Sequence, residues 1–363
     1  MSKTDDGHFM RRTLELARSA APPSPNPRVG AVLVRDGAVV SEGVHRGPGA
    51  PHAEVDALDA LTAPAGVTCY VNLEPCVHHG RTPPCARALV AAGVARVVAA
   101  IRDPDPRVDG DGFAYLEDHG VEVVTGVLAG EARELNAAYI HHRTTGRPLV
   151  TLKLALTLDG RLGAPDGSAR WITSPETRTR VHQRRAQADA VMVGAGTVLA
   201  DDPCLTARNV GAKRQPLRIV LDASGRISPS ANVFDDPRRT VVATTGDCPH
   251  EVQLSWKETG ADVVVVPPGA DGGVDVDALI RHLGERDVLD LICEGGAELG
   301  TTLLRLDLVD RLEIHYGPVV AGRGGPDIGD LGVTSMTDAH RWSTVGVERS
   351  GPDAIVLLER LPD

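Results

Sequence analysis

Short apolar runs alternate with helix-like segments along nearly the whole chain of 363 residues. Strands that alternate with helices favour a layered α/β fold with a largely parallel sheet, because parallel strands need a long crossover connection. The polar segment 141–148, which contains Gly146 and Pro148, interrupts the series and is interpreted as a hinge. The sequence therefore predicts two α/β domains, residues 1–146 and 147–363, as is usual for this length.

The first series begins with a predicted helix over 6–20, which ends at a run of prolines. Asp36-Gly37 lies between two apolar runs and is a signal for a hairpin. The pattern then predicts helices over 53–63, 83–93, 112–120 and 130–142, and strands over 68–74, 94–101 and 121–127. In the second half it predicts strands over 149–162, 189–196, 217–223, 240–245, 262–267, 289–296 and 311–320, with helices near 174–188, 275–286 and 297–306.

Charge and composition narrow the classes of function. The net charge is −11 and lysines and arginines form no strip, which argues against a surface for nucleic acid. No apolar run reaches the ~18 residues of a membrane span, and the N-terminus lacks the apolar core of a secretory signal. In such a chain the six cysteines are better interpreted as thiols or metal ligands than as disulfides. A cytoplasmic protein without a membrane or nucleic-acid partner is expected.

The strongest chemical signal comes from His52, Glu54, Cys76 and Cys85. One histidine and two cysteines suit Zn²⁺, and a three-ligand site leaves the fourth position for water, as in catalytic zinc sites. Zinc lowers the pKa of that water, and Glu54 can carry the proton to a leaving amine. This order of residues is typical of nucleobase deaminases, although eight residues rather than two separate the cysteines here.

Two alternatives to a small-molecule deaminase remain open at this point. One is a structural zinc module with a nucleotide-binding or sensing domain, for which Cys69 and His78 are the nearby candidates for a fourth ligand. The other is a deaminase of a base in RNA, as in tRNA editing, which the acidic net charge disfavours.

Segments 26–30 (NPRVG), 51–54 (PHAE) and 74–85 (EPCVHHGRTPPC) resemble one branch of the cytidine-deaminase superfamily. That branch is the deaminase half of the bifunctional deaminase–reductase family of riboflavin biosynthesis. The resemblance implies a cytidine-deaminase-like α/β/α layered domain and a diaminopyrimidinone substrate that carries a ribosylamino 5′-phosphate. It implies substrate-binding roles for Asn26, His45, His78 and Arg81. One departure is Asp105, where the family more often has Asn.

Two strand–glycine–helix junctions follow in the second half, at 193–197 (VGAGT) and 293–297 (CEGGA). Helix N-termini can hold phosphate, but neither junction is a dinucleotide-binding fingerprint. Together with segments 153–160, 171–174 and 218–223, these junctions resemble the reductase half of the same family, in the same order along the chain. The resemblance therefore spans residues from about 6 to the 350s. It implies a dihydrofolate-reductase-like α/β domain, NADPH as cofactor and a homo-oligomer.

The same resemblance implies roles for single residues of the second half. Those expected to contact NADPH are Ala155, Trp171, Thr197, Asp201, Gly296, Ala297, Glu298, Leu299, Gly300, Thr301 and Thr302. Those expected to contact substrate are Arg185, Leu205, Arg208 and Glu294, and a guanidinium is suited to a phosphate. Lys153 and Glu294 are expected near the reacting ribose.

The leading hypothesis is a two-step enzyme that removes a ring amine as ammonia and then reduces the ribosyl group to a ribityl chain. A deaminase whose second domain has lost reductase activity is the remaining alternative. Its support is Ala169, where the family often has a serine whose hydroxyl could bond substrate; Ser168 could supply that hydroxyl instead.

Overall fold

The computed structural model describes residues 3–78, 83–168, 171–236 and 239–361. The chain forms two compact units, residues 1–146 and 147–363, and each unit has its own sheet. Within the part of the chain just given, no helix is long and apolar enough to cross a membrane.

The first unit is a five-stranded sheet with helices packed against it. Its strands are β1 (Gly30–Arg35), β2 (Ala38–Val44), β3 (Thr68–Val71), β4 (Arg96–Ala99) and β5 (Glu122–Thr125). Its helices are α1 (Lys3–Ser19), α2 (Ala53–Asp59), α3 (Cys85–Ala91), α4 (Asp111–Asp118), α5 (Ala129–Leu135) and α6 (Ala137–Thr145). The strand order is β2-β1-β3-β4-β5, and β3, β4 and β5 are parallel. The predicted parallel sheet after an opening hairpin is confirmed.

The hairpin turns where the sequence indicates. Asp36 and Gly37 have φ angles of 50° and 78°, and two positive φ angles are required by the tight turn that joins twisted antiparallel strands. Strand β1 is buried along most of its length between β2 and β3. It lies next to β3, the central strand of this sheet.

The single helix predicted over 130–142 is wrong, because the chain breaks it at Asn136. The Asn136 side chain is buried and pairs with the backbone of Arg28, accepting from its N–H at 2.8 Å and donating to its carbonyl at 3.0 Å. The hinge predicted over 141–148 is also wrong in its first half. Helix α6 continues to Thr145 and ends at Gly146, whose φ of 76° suits a helix C-terminus.

The second unit is a nine-stranded sheet. Its strands are β6 (Leu149–Leu156), β7 (Ala190–Gly194), β8 (Leu217–Leu221), β9 (Thr240–Thr244), β10 (Asp262–Val265), β11 (Asp290–Cys293), β12 (Arg311–Tyr316), β13 (Trp342–Ser350) and β14 (Asp353–Arg360). Its helices are α7 (Pro175–Gln187), α8 (Ala195–Asp201), α9 (His250–Glu258), α10 (Val276–Glu285) and α11 (Ala297–Arg305), with a 3₁₀ turn at Asn232–Phe234. The strand order is β10-β9-β8-β7-β11-β6-β12-β14-β13.

Central strand β6 has one apolar and one polar face, and this division positions the chemistry of the second unit. Val150, Leu152 and Leu154 belong to a buried cluster that includes apolar residues of α10 and α11. Thr151, Lys153 and Ala155 alternate with them and point to the opposite face. Helix α7 supplies arginines to that polar face.

Candidate active sites

Three elements of the first unit bring the predicted zinc ligands together. His52 is the residue before α2, Cys85 is the first residue of α3, and Cys76 lies in the loop between β3 and α3. The Nδ1 atom of His52 is 2.9 Å from the Cys85 Sγ and 3.6 Å from the Cys76 Sγ, and the two sulfurs are 3.6 Å apart.

These distances fit a single zinc ion. Tetrahedral zinc with Zn–S of about 2.3 Å and Zn–N of about 2.0–2.1 Å needs ligand atoms about 3.6–3.8 Å apart. Two of the three distances match this range, and the third is shorter. Over residues 3–78 and 83–361 as far as the structure describes them, no fourth ligand-type side chain joins the group. Neither Cys69 nor His78, the two candidates for a fourth ligand, belongs to this group, and three protein ligands are the number typical of catalytic zinc sites.

Glu54 is the second residue of α2, two positions after the ligand His52, and only 3% of its surface is exposed. Burial raises the pKa of its carboxyl to about 7, which suits a group that takes and returns a proton near neutral pH. A hydrogen bond from the Cys85 thiol is the main cause that lowers the pKa of Cys76, and a thiolate is the form that binds metal.

Asn26 and His45 lie beside the zinc ligands as a hydrogen-bonded pair. The buried His45 ring is edge-on to the His52 ring, with centroids 5.1 Å apart. His45 Nδ1 lies 2.9 Å from the Pro51 carbonyl, which can only accept, so Nδ1 donates. Burial lowers the pKa of His45, and its Nε2 then accepts from the Asn26 amide at 2.8 Å. The pair directs the Asn26 amide nitrogen to His45 and leaves its oxygen for other donors.

The other two residues of the predicted substrate site are less well defined. His78 is half-buried, and its Nδ1 has no hydrogen-bond partner among the described residues. Arg81 falls in 79–82, outside the described residues. Ala169 likewise lies outside them.

Glu74 is a residue of this site whose role the sequence analysis did not foresee. Its buried carboxylate accepts backbone N–H bonds of 2.9–3.3 Å from Asp103, Gly110, Gly112 and Phe113. A side chain at Gly112 would lie 2.1 Å from the Pro75 carbonyl, so only glycine fits there. These contacts fix the loop that carries Cys76. The only sequence signal for them is that Glu74 stands two residues before a ligand.

Asp105, the departure from the family pattern, has its own partners. Its carboxylate accepts from the Arg107 backbone at 3.0 Å and lies 3.6 Å from the Arg143 guanidinium. The bond to the Arg107 side chain is the main cause that lowers its pKa to about 2. The aspartate is thus a charged link between this loop and α6.

In the second unit the structure brings Lys153, Arg185 and Glu294 together on the polar face of the sheet. Glu294 follows β11, and its carboxylate accepts two bonds from Arg185 of α7, at 2.6 and 2.8 Å. Burial alone would raise the pKa of Glu294, but Arg185 and then Lys153 lower it to about 2. Burial lowers the pKa of Lys153, and Glu294 opposes that shift.

The predicted phosphate-binding arginines are joined through one loop. The carbonyl of Thr206 accepts from Arg185 at 3.2 Å, and its hydroxyl accepts from Arg208 at 2.8 Å. His182 of α7 also contacts this carbonyl, at 2.9 Å, and was not foreseen. Leu205 has a left-handed φ of 53° and a side chain buried in the core, so only its backbone is open to a ligand.

The residues predicted to contact NADPH divide into open and enclosed positions. Thr197 of α8 accepts from the Gly296 N–H at 3.2 Å, which joins the two glycine junctions. Trp171 is 65% exposed, with the Arg178 guanidinium 4.3 Å from its ring centre. Leu299 packs in the core, and Thr301 donates to the Ala297 carbonyl.

The remaining positions of that group lie on β6, α8 and α11. Ala155 is half-buried on β6, Asp201 and Glu298 are exposed, Ala297 and Thr302 are half-buried, and Gly300 is buried. The backbone N–H groups at the start of α11 are therefore the part of this helix best placed for a phosphate.

Comparison with known proteins decides between the alternatives. The family model "RibD C-terminal domain" matches residues 148–356, and "Cytidine and deoxycytidylate deaminase zinc-binding region" matches residues 3–101. The riboflavin biosynthesis protein RibD of Escherichia coli is 39% identical over 97% of this chain and 99% of its own length. That of Aquifex aeolicus is 39% identical over 99% of this chain and 100% of its own.

The chain belongs to the RibD family. Solved structures agree: RibD of Acinetobacter baumannii superposes with a TM-score of 0.91 at 33% identity, covering 99% of this chain and all of that one. The Thermotoga maritima diaminohydroxyphosphoribosylaminopyrimidine deaminase/5-amino-6-(5-phosphoribosylamino)uracil reductase gives 0.87 at 34% identity, covering 99% of each chain.

Membership of the RibD family confirms the main predictions. The protein is a bifunctional deaminase and reductase of riboflavin biosynthesis, with a cytidine-deaminase-like domain followed by a dihydrofolate-reductase-like domain. Its cofactors are zinc and NADPH, and the His52, Cys76 and Cys85 cluster fits the zinc.

Proposed function

We propose that residues 1–146 deaminate a diaminohydroxyphosphoribosylaminopyrimidine and that residues 147–363 reduce the resulting 5-amino-6-(5-phosphoribosylamino)uracil with NADPH. These are the activities in the name of the Thermotoga maritima relative, which this chain matches over 99% of both lengths. The observation that carries the proposal is the presence of two separate polar sites, one in each compact unit.

In the first step, Glu54 is the proton carrier. His52, Cys76 and Cys85 would hold the zinc, which would lower the pKa of a water molecule. Glu54 would take a proton from that water and give it to the amine, which leaves as ammonia while the water oxygen stays on the ring carbon. Asn26 binds the ring, with the amide orientation that His45 sets. His78 and Arg81 complete the substrate site, and His45, whose two ring nitrogens are bonded to Pro51 and Asn26, acts on the substrate through the Asn26 amide.

In the second step, Lys153 is the proton donor at the reacting ribose. NADPH, when bound, would supply the hydride that C1′ accepts. As the bond from C1′ to the ring oxygen breaks, the Lys153 ammonium gives its proton to that oxygen, so charge and hydrogen balance. Glu294, like Lys153, contacts the reacting ribose, and two bonds from Arg185 fix its carboxylate. Arg185 and Arg208 bind the substrate phosphate.

The cofactor contacts of this step come from the two glycine junctions and their neighbours. We assign to NADPH the Ala297 N–H at the start of α11, the exposed Gly296 beside it, the Thr197 hydroxyl and the exposed Trp171 ring. The other members of the contact group are Ala155, Asp201, Glu298, Leu299, Gly300, Thr301 and Thr302. Leu205 contributes backbone to the substrate side.

Mass spectrometry of the products tests this assignment. Purified protein given the diaminopyrimidine phosphate and NADPH should first replace one ring amine by oxygen and then add two hydrogens to the sugar. Substrate that gains two hydrogens while keeping both amines would contradict the assigned order. Unchanged substrate in the presence of zinc and NADPH would contradict the function.

We also propose a cytoplasmic homo-oligomer that binds neither nucleic acid nor membrane. None of the six cysteines forms a disulfide, as is usual for cytosolic proteins, and the net charge of −11 opposes binding to nucleic-acid phosphates. Strand β13 is an edge of the nine-stranded sheet with Val345 and Val347 exposed, and such edges favour association. Light scattering should give a multiple of 38.2 kDa, and a monomer mass would contradict the oligomer.

A further inference from the structure

A row of charged side chains crosses the polar face of three neighbouring strands in the second unit. Strand β6 lies between β11 and β12, and all three are parallel. On β12, Glu313 is directly opposite Lys153. On β11 the pairing ends at Cys293 opposite Leu152, so Glu294 follows beside Lys153 on the other flank. Lys153 therefore stands between two carboxylates, one from each neighbouring strand.

The two carboxylates differ in how far other cations already balance them. Glu294 accepts two hydrogen bonds from the Arg185 guanidinium, at 2.6 and 2.8 Å. Arg184, the next cation on α7, gives two bonds of 2.6 and 2.8 Å to Asp290. Glu313 makes no ion pair with an arginine or lysine of the described residues. Its negative charge acts at longer range on Arg184 and on Lys153, which lies directly opposite it on β6.

The partner of Glu313 is a histidine on the same strand. His315 Nε2 lies 2.7 Å from Glu313 Oε1, and His315 has no exposed surface. Because an ionised carboxylate can only accept, Nε2 carries the proton and donates it. The Nδ1 atom of His315 is buried without a hydrogen-bond partner among the described residues. The Glu313 bond is thus the only one that holds this ring in the described part of the chain.

We propose that Glu313 is the counter-ion of Lys153 in the reductase domain, and that His315 fixes the position of the Glu313 carboxylate. Both act through Lys153 and are positioning residues. The sequence gives no motif for either of them; the register of β6 and β12 places them.

Charged and titratable side chains face Lys153 from both neighbouring strands and from α7. They are Glu294 after β11, Arg184 and Arg185 of α7, and Glu313 and His315 of β12. The neighbour of Glu313 on β14 is Leu357, which carries no charge. Burial lowers the pKa of Lys153. Glu294 opposes that shift, Arg185 adds to it, and Glu313 opposes it. His315, then Arg184 and Lys153, hold the pKa of Glu313 below its usual range against burial.

Titration of Lys153 in the full chain tests this proposal without any assay of reduction. The chain has four lysines, so NMR of protein labelled with ¹³C at lysine Cε gives four lysine signals. The signal that disappears in the Lys153→Met variant belongs to Lys153. In Glu313→Gln we expect the midpoint of Lys153 to fall by about one unit or more, since an opposite charge has been removed. Glu359→Gln is the matched control, because it removes a carboxylate from the next strand that is paired with Arg311 instead.

The proposal fails if Lys153 titrates at the same pH in wild type and Glu313→Gln, or if Glu359→Gln shifts it equally. Thermal unfolding shows whether each variant is folded. If Glu313→Gln does not fold, His315→Leu is the second variant, because it keeps the Glu313 carboxylate but removes its hydrogen bond to His315. An unchanged Lys153 midpoint in His315→Leu also overturns the proposal.

The consequence for activity rests on the proposed function of Lys153. As pH rises, the rate of reduction should begin to fall at a lower pH in Glu313→Gln than in wild type. The rate of ammonia release should be the same in both proteins. A wild-type protein that does not reduce the substrate would overturn the proposed function, whereas the lysine titration would still decide the role of Glu313.

Discussion

Glu54 combines nearly complete burial with a place beside three metal-ligand side chains. We expect Glu54→Gln to slow deamination by about 10²–10⁴-fold, because an amide cannot take up and return a proton. The zinc content, measured by atomic absorption, should stay at the wild-type level, since Glu54 is not one of the ligand group.

Glu117→Gln is the control for that change. Glu117 is an exposed glutamate on α4 of the same unit, so the same loss of charge there should leave ammonia release unchanged. If Glu54→Gln kept the wild-type rate with zinc bound, Glu54 would not be the proton carrier.

The zinc ligands could be predicted from the sequence, because their order and spacing form a motif. Residues whose role depends on strand pairing or on distant backbone contacts could not. His52, Cys76 and Cys85 follow from residue type and order, and the structure brings them within 4.8 Å of one another. Glu74 and Glu313 have no such pattern. Glu74 accepts four backbone bonds from residues 29–39 positions later in the chain, and Glu313 lies opposite Lys153 on the neighbouring strand.

Helix α7 offers a direct comparison of a buried and an exposed ion pair. Arg185 pairs with Glu294 in the interior, whereas Arg180 pairs with Glu348 where both side chains are well exposed. We expect Arg185→Gln to destabilise the second unit by about 3–5 kcal/mol, because it leaves a buried carboxylate without its cation. Arg180→Gln should cost about 0–1 kcal/mol.

Tryptophan fluorescence during urea unfolding measures this difference. All three tryptophans lie in residues 147–363, so their emission reports the second unit alone. Equal unfolding midpoints for the Arg185 and Arg180 variants would show that the buried pair does not stabilise this unit.

The same pair makes the second unit sensitive to acid. The pKa of Glu294 is about 2 in the folded protein, and an unfolded glutamate has a pKa of about 4.3. A carboxyl with a depressed folded pKa stabilises the fold above its unfolded pKa, and this contribution is lost as pH falls towards the folded value. We therefore expect the tryptophan-monitored stability to fall between about pH 4.3 and pH 2.

Glu294→Gln isolates this contribution, because glutamine does not titrate. The variant should be less stable at neutral pH, and its stability should depend less steeply on pH in the acid range. An equal slope in wild type and Glu294→Gln would contradict the depressed pKa.

The elements that the sequence predicted well are those with a buried face. Strands β6 to β12 and helices α10 and α11 show strong apolar patterns, and Ser174 caps α7 by accepting from the Thr177 N–H at 3.3 Å. Helix α9 was missed because Trp256 is its only fully buried side chain. Strand β13 was missed because it is largely exposed on both faces and is ordered by its pairing with β14.

The molecule as a whole carries two chemistries in two compact units, each with its own sheet. His52→Ala should abolish zinc binding and ammonia release while the protein still reduces substrate that has already been deaminated. Lys153→Met should leave ammonia release intact and stop NADPH oxidation. Variants of either kind that lost both activities while still folded would contradict this division of labour.

The central claim is that deamination precedes reduction on one chain. The most direct measurement follows ammonia release and NADPH absorbance together after the diaminopyrimidine phosphate is added, with and without NADPH. We predict that ammonia appears at the same initial rate in both mixtures and that NADPH oxidation begins after a lag. NADPH oxidation that starts without a lag and before any ammonia, or ammonia release that requires NADPH, would contradict this claim.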